Sequence, residues 1–254
     1  MKPLINSIKE IFVPLYYFVW ERYLLFKNSK LSQTYSNAYD IPIIINNRNR
    51  LTFLKNMIDT LNSKGYHNIF IIDNNSNYKP LMEYYNTLPY KIFRLKENVG
   101  FLSLWQTDIY KEFENNYFVY SDSDVVPIKE CPDDFLQFFL DRMKEDKKIM
   151  KIGLGLKIDD LPDYFANKKE VISWESTYNS KSVDNHFYLA NVDTTFALYR
   201  PYMSGGASRL KMYRSKAPIE AYHMPWYNDS DNLSEEEIFY ITNAKTSTHW
   251  TSKK

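Results

Sequence analysis

The chain has 254 residues, 44% hydrophobic and 25% charged, with a formal net charge of +1. This composition excludes a disordered chain, allows one sizeable buried core, and lacks the basic surplus expected of a nucleic-acid binder. The lone cysteine, Cys131, excludes an intramolecular disulfide and a cysteine-based zinc site, and it suits a reducing, cytoplasmic setting.

Residues 1–36 form the first unit. The stretch 11–20 (IFVPLYYFVW) is apolar but short, holds Pro14, and is flanked by Lys9, Glu10, Glu21 and Arg22. A spanning helix needs about 20 apolar residues, so no transmembrane segment is expected. No small-residue cleavage site follows that would mark a signal peptide. The expectation is a helical segment that packs on the rest of the chain or on a second subunit as a homodimer. Alternatively it lies on a membrane, with Phe12, Tyr16, Trp20 and Tyr23 among the headgroups.

Residues 37–254 form the second unit. Residues 41–45 (IPIII) read as a buried parallel strand and 46–50 (NNRNR) as a polar loop. Apolar residues at 51, 54, 57, 58 and 61 predict a helix over 51–63, with Thr52 hydrogen-bonding near its start and Gly65 ending it. A second strand at 68–72 runs into the polar loop 73–77. A short helix at 81–86, a third strand at 90–95 and the loop 98–100 follow. A helix is predicted over 101–113, then a fourth strand at 117–120 ending in 121–124 (SDSD). Four β–α alternations argue for an α/β domain with a mainly parallel sheet, whose ligands sit beyond the carboxyl ends of the strands. The four polar loops would therefore share one rim. Further helices are expected at 134–144 and 235–241, strand material at 153–155 and 194–199, and a polar loop over the acceptor side at 168–185.

Asp122 and Asp124 flank Ser123 directly after an apolar strand. In extended chain the two carboxylates lie on the same side. Hard oxygen ligands of this kind suit Mg²⁺ or Mn²⁺ shared with substrate phosphates, where the ion acts as a Lewis acid on a departing diphosphate.

The segment from Ile41 through Asp73-Asn74-Asn75-Ser76, with Asn98-Val99-Gly100 and the run FVYSDSDVVP ending at Pro127, resembles family 2 glycosyltransferases. The resemblance implies a GT-A fold: a single α/β domain with a Rossmann-like, mainly parallel sheet flanked by helices, here with the N-terminal helical appendage. It implies that Asn46, Asn47 and Arg48 touch the nucleotide. Asp73 would bond the uracil or ribose, Asn98 and Gly100 would lie against the nucleoside or diphosphate, and Asp122 and Ser123 would complete the nucleotide-sugar site. A downstream histidine would join Asp122 and Asp124 on the metal, with His223 and His249 as candidates. The run 192–200 (VDTTFALYR) is similar to a strand bordering the acceptor, making Asp193 the first candidate for the base of an inverting transfer and Glu220 the second.

The implied activity moves a hexose from a nucleotide sugar, with UDP the expected carrier, to a glycan or lipid-linked hydroxyl in bacterial surface polysaccharide synthesis. Its setting would be the cytoplasm, extending to the inner face of the membrane. The basic cluster Arg209, Lys211, Arg214 and Lys216 reads either as solvated surface or as a contact for diphosphate or a lipid-linked phosphate. Two rivals remain. A sugar nucleotidyltransferase would normally carry a glycine-rich phosphate loop, and 46–50 has no glycine. A non-catalytic carbohydrate-binding protein would keep the fold without the chemistry.

Overall fold

The computed structural model describes residues 2–31, 34–193, 195–206 and 209–244, with side chains from Val13 onward. The chain begins with one long helix, α1 (Lys2–Ser29), which runs through Pro14. The alternating core follows as β1 (Ile43–Asn47), α2 (Leu51–Ser63), β2 (Ile69–Asp73), α3 (Lys79–Tyr85), β3 (Lys91–Arg94), α4 (Tyr110–Phe113) and β4 (Phe118–Asp122). Then come β5 (Val125–Pro127), α5 (Phe135–Glu145), β6 (Lys151–Gly153), β7 (Gly155–Leu156), α6 (Lys168–Ser176), β8 (Phe187–Leu189), β9 (Ala197–Tyr199), β10 (Met212–Ser215), β11 (Glu220–His223) and α7 (Glu235–Asn243).

Eight strands form one sheet in the order β3-β2-β1-β4-β9-β6-β10-β8, and β5-β11-β7 form a small second sheet. The half built from β1 to β4 is wholly parallel. Beyond it β9 runs antiparallel to both β4 and β6, so the whole sheet is mixed. Period-two alternation of strand side chains gives the sheet two apolar faces. Ile43, Ile45 and Val119 join α2, α3 and α5 on one face. Ile44, Ile72, Phe118 and Tyr120 join Leu24 of α1 on the other. Each such side chain, once fully buried, contributes roughly 1.5–3 kcal/mol.

Several expectations need correction. Residues 101–113 are a series of turns ending in the short α4, not one helix. The Ser103 hydroxyl donates to Asn46 Oδ1 (2.8 Å), and both Trp105 N and Gln106 N bond to Leu102 O, which tightens the chain into a turn. The Trp105 ring then reaches Tyr120 at 4.8 Å between centroids. Residues 168–185 include the helix α6 rather than being all loop, because Val171 is buried in a satellite cluster with Leu161, Phe165 and Trp226. Thr52 does not cap its own helix. Its backbone N–H and hydroxyl both donate to Glu236 of α7, which caps the start of α2 from a distant part of the chain. The strand expected over 194–199 spans Ala197–Tyr199, and Thr194 and His249 lie outside the described residues.

Candidate active site

The loops after β1, β2, β3 and β4 meet on one rim, as chain order requires of parallel strands joined by helices. They enclose a cavity of about 240 Å³ to which Asn46, Arg48, Asn74, Asn98, Gly100 and Ser123 contribute. A second cavity of about 350 Å³ lies under α6 and β11, with Trp174, Glu175, Asp193, Arg214, His223 and Trp226 in its wall. Arg50, Phe101, Asp122, Asp124 and Tyr240 line both. The two carboxylates therefore stand at the junction of the two spaces.

Asp122 ends β4 and its Oδ1 accepts from Asn46 Nδ2 at 3.0 Å. The Ser123 backbone N–H donates to Asn46 O, and its hydroxyl donates to Asn47 Oδ1 at 2.7 Å. Asp124 is followed at once by β5, which pairs with β11 so that Val125 lies opposite His223. Met224 N donates to Asp124 O at 2.8 Å, tying the two loops together. His223 Nε2 lies 3.8 Å from Asp124 Oδ2. Burial lowers the His223 pKa, which outweighs the attraction of Asp124 and favours the neutral imidazole. Its buried Nδ1 has no hydrogen-bond partner.

Among the described residues, no three His, Cys, Asp or Glu side chains form a complete metal cluster. The donor set that is present, two carboxylates with a neutral imidazole facing one of them, nevertheless suits a hard divalent cation that draws its remaining ligands from a bound phosphate.

Arg50 was missed by the sequence reading. It is buried at the N-terminal end of α2, with Nη1 2.5 Å from Asp124 Oδ2 and Nη2 3.0 Å from Glu237 Oε2. The guanidinium also stacks 3.8 Å from the Tyr240 ring centroid. Burial alone would lower its pKa, but Asp124 and Glu237 outweigh that and raise it. Glu237 arrives on α7, whose Ser234 cap and three acidic first-turn residues suit the positive end of the helix dipole. Arg48 Nη2 donates to Asn243 O at the other end of the same helix. Thus α7 straps the loop after β1 at both ends. In the sequence its run Glu235-Glu236-Glu237 reads as an ordinary helix start.

The other expected residues divide. Arg48, Asn98, Gly100, Asp122, Ser123, Asp124, Asp193 and His223 all line one or both cavities. Asn98 Oδ1 accepts from Gly100 N, and Gly100 adopts φ 84°, a left-handed turn that suits glycine. Asn47 and Asp73 are buried beneath the rim and bonded within the protein. Asp73 is 2% exposed, with Oδ1 accepting from Ser76 N and from the Tyr85 hydroxyl, while Asn47 Nδ2 donates to that same hydroxyl. Asn46, also expected at the nucleotide, lines the smaller cavity, as does Asn74. Glu220 faces a separate cavity with Lys216 and Ser215, because it sits three positions from His223 on β11 and successive strand residues alternate faces. Its pKa is raised by burial. The expected basic cluster is dispersed. Lys211 pairs with Asp146, whereas Arg214 is buried with Nη1 2.5 Å from Glu175 and faces the larger cavity.

Asp193 owes its place to Lys151. This lysine is fully buried in the sheet, and its Nζ donates to Val192 O (2.9 Å) and Asp193 O (2.6 Å). Burial lowers its pKa to about 7 despite Asp193 nearby. Between that value and its ordinary 10.5 the native state binds fewer protons than the unfolded chain, so this group makes stability rise with pH across that window. The expected gain is about 1–2 kcal/mol between about pH 7 and pH 9. Urea unfolding of Lys151→Met should lack it. An equal gain in the variant would remove Lys151 as the source.

No protein-family model matches the chain, and no curated protein matches it by sequence. Solved structures do. A mannosyltransferase from Pyrobaculum calidifontis, solved with GDP-Man and Mn²⁺, is 12% identical over 96% of this chain and 76% of its own, with a TM-score of 0.45. Glucosyl-3-phosphoglycerate synthase from Mycobacterium tuberculosis, with Mn²⁺ and UDP-glucose, is 9% identical over 71% of this chain and 60% of its own, at 0.38. The same synthase with Mg²⁺ and UDP gives 10% identity and 0.39. The chain thus spans less than two thirds of that synthase. The functional reading stands on the cleft's own side chains.

Proposed function

We propose that the chain is a GT-A-type glycosyltransferase that uses a divalent cation, Mn²⁺ or Mg²⁺, to move a sugar from a nucleoside diphosphate to a hydroxyl acceptor. The observation that carries this reading is the placement of Asp122 and Asp124 between two cavities, one walled by the loops after β1 to β3 and one by α6 and β11. The smaller would take the nucleoside and the larger the sugar and acceptor. Asp122, Asp124 and His223 would hold the cation, which when bound supplies positive charge against the departing diphosphate. Asn46 orients the Asp122 carboxylate, and Arg50 orients that of Asp124. Asp193, exposed in the larger cavity, would accept the proton of an acceptor hydroxyl. The exposed rings of Trp174 and Phe101 would stack on a sugar.

UDP is the expected carrier, a glycan or lipid-linked alcohol the expected acceptor, and bacterial surface polysaccharide the expected product. A second reading, a non-catalytic sugar-binding protein, draws on the Arg50–Asp124 ion pair, which engages an oxygen that a cation would otherwise take. Release of nucleoside diphosphate from a panel of UDP- and GDP-sugars, with and without Mn²⁺, separates the two. Cation-dependent release is expected. Tight nucleotide-sugar binding without turnover, with or without acceptor alcohols, would favour the second reading.

A further inference from the structure

Half of the exposed large apolar side chains among the described residues lie on one helix, α1. Leu15, Tyr16, Phe18, Val19, Tyr23 and Phe26 are each more than half exposed. The opposite face of the helix is fixed to the domain. Leu24 is fully buried with Tyr17, Trp20 and Leu25 packed around it, Asn28 Nδ2 donates to Pro201 O, and Lys27 sits over the Tyr202 ring. The outer face is thus presented by a rigid support. A contiguous apolar stripe of this kind marks an interaction surface.

We propose that this face docks on an anionic phospholipid bilayer. Its charge selects that partner. From 13 to 30 the one acidic residue is Glu21, which is half-buried and lines a separate cavity with Arg209 and Lys211. The exposed cations Arg22 and Lys30 lie against the rings of Phe18 and Phe26, so their alkyl stems share the apolar surface while their charges reach outward. Lys144 and Lys147 border the helix on one side and Arg209 on the other.

Aromatic rings rimmed by cations, with no carboxylate on the face among the described residues, match the chemistry of a negatively charged headgroup layer. No helix among the described residues is long and apolar enough to cross a membrane, so α1 would lie in the interface plane. A second copy of the chain fits less well, because a two-fold pairing of this face offers cations to cations. The cavity beside α1 shares Tyr178 with the larger cavity of the cleft, so the docked surface adjoins the site described above.

Vesicle flotation with the full purified chain tests this. The chain should float with phosphatidylcholine vesicles containing phosphatidylglycerol and remain behind with phosphatidylcholine alone, and salt should weaken the association. The double substitution Val19→Glu with Phe26→Glu should cut the bound fraction at least about tenfold. Its melting temperature should match that of the original, since both side chains are exposed. The proposal is overturned if the chain floats with neither vesicle, floats equally with both, or floats undiminished in the double variant. It is overturned equally if light scattering shows a stable dimer that the double variant converts to monomer.

Discussion

Asp124→Asn should lower sugar release and transfer by at least about a thousandfold at saturating Mn²⁺, the loss expected when several kcal/mol of charge stabilisation leave the transition state. The substitution is nearly isosteric, and its amide oxygen can still accept from Arg50, which keeps Glu237 as its second partner. The melting temperature should therefore move far less than the rate. Initial rates at increasing Mn²⁺ give the check. A variant within about threefold of the original at every cation concentration would show that this carboxylate is not at the chemical centre.

Arg50→Met should be the most destabilising substitution at the rim. It leaves Asp124 and Glu237 buried near one another without their shared cation, a loss of about 3–5 kcal/mol. In a chain of this size that lowers the melting temperature by roughly 10 °C. The deficit should depend on pH in a set direction. Burial already raises the Glu237 pKa above its ordinary 4.5 while Arg50 pulls it down, so removing Arg50 raises it further. A native state with a raised carboxyl pKa binds more protons than the unfolded chain, and its stability falls as pH climbs through that window. Thermal melts of the variant should therefore show a smaller deficit at about pH 5 than at about pH 8. Adding Glu237→Gln should recover part of the loss. A deficit that does not vary with pH would mean that the cost comes from lost packing on Tyr240 and Phe53 rather than from stranded charge.

The parallel half of the sheet was legible because its signals are local. Three consecutive isoleucines at 43–45, apolar spacing through 51–61 and polar runs at each strand end suffice to order β1 to β4 and to put their loops on one rim. The position of Asp122 at the end of β4, with Asp124 in the turn that follows, was legible for the same reason. Contacts made across the chain were not. Arg50 meets Glu237 across 187 residues and Glu236 caps α2 across 184, and nothing near either residue announces the partner. The insertion of β9 between β4 and β6, which turns a parallel sheet into a mixed one, likewise depends on pairing that three-residue strands do not encode locally. The place of Asp73 at a strand end suggested a ligand contact, whereas its bonds to Ser76 N and to the Tyr85 hydroxyl, which close its own loop, were not legible there.

The most direct test of a cation-dependent nucleotide site is thermal stabilisation by UDP, GDP, ADP and CDP, each with and without Mn²⁺. A ligand that binds the native state raises its melting temperature by mass action. The account predicts a shift with one nucleoside diphosphate that requires Mn²⁺ and disappears in Asp124→Asn. A shift of the same size without the cation, or none with any nucleotide, would contradict it.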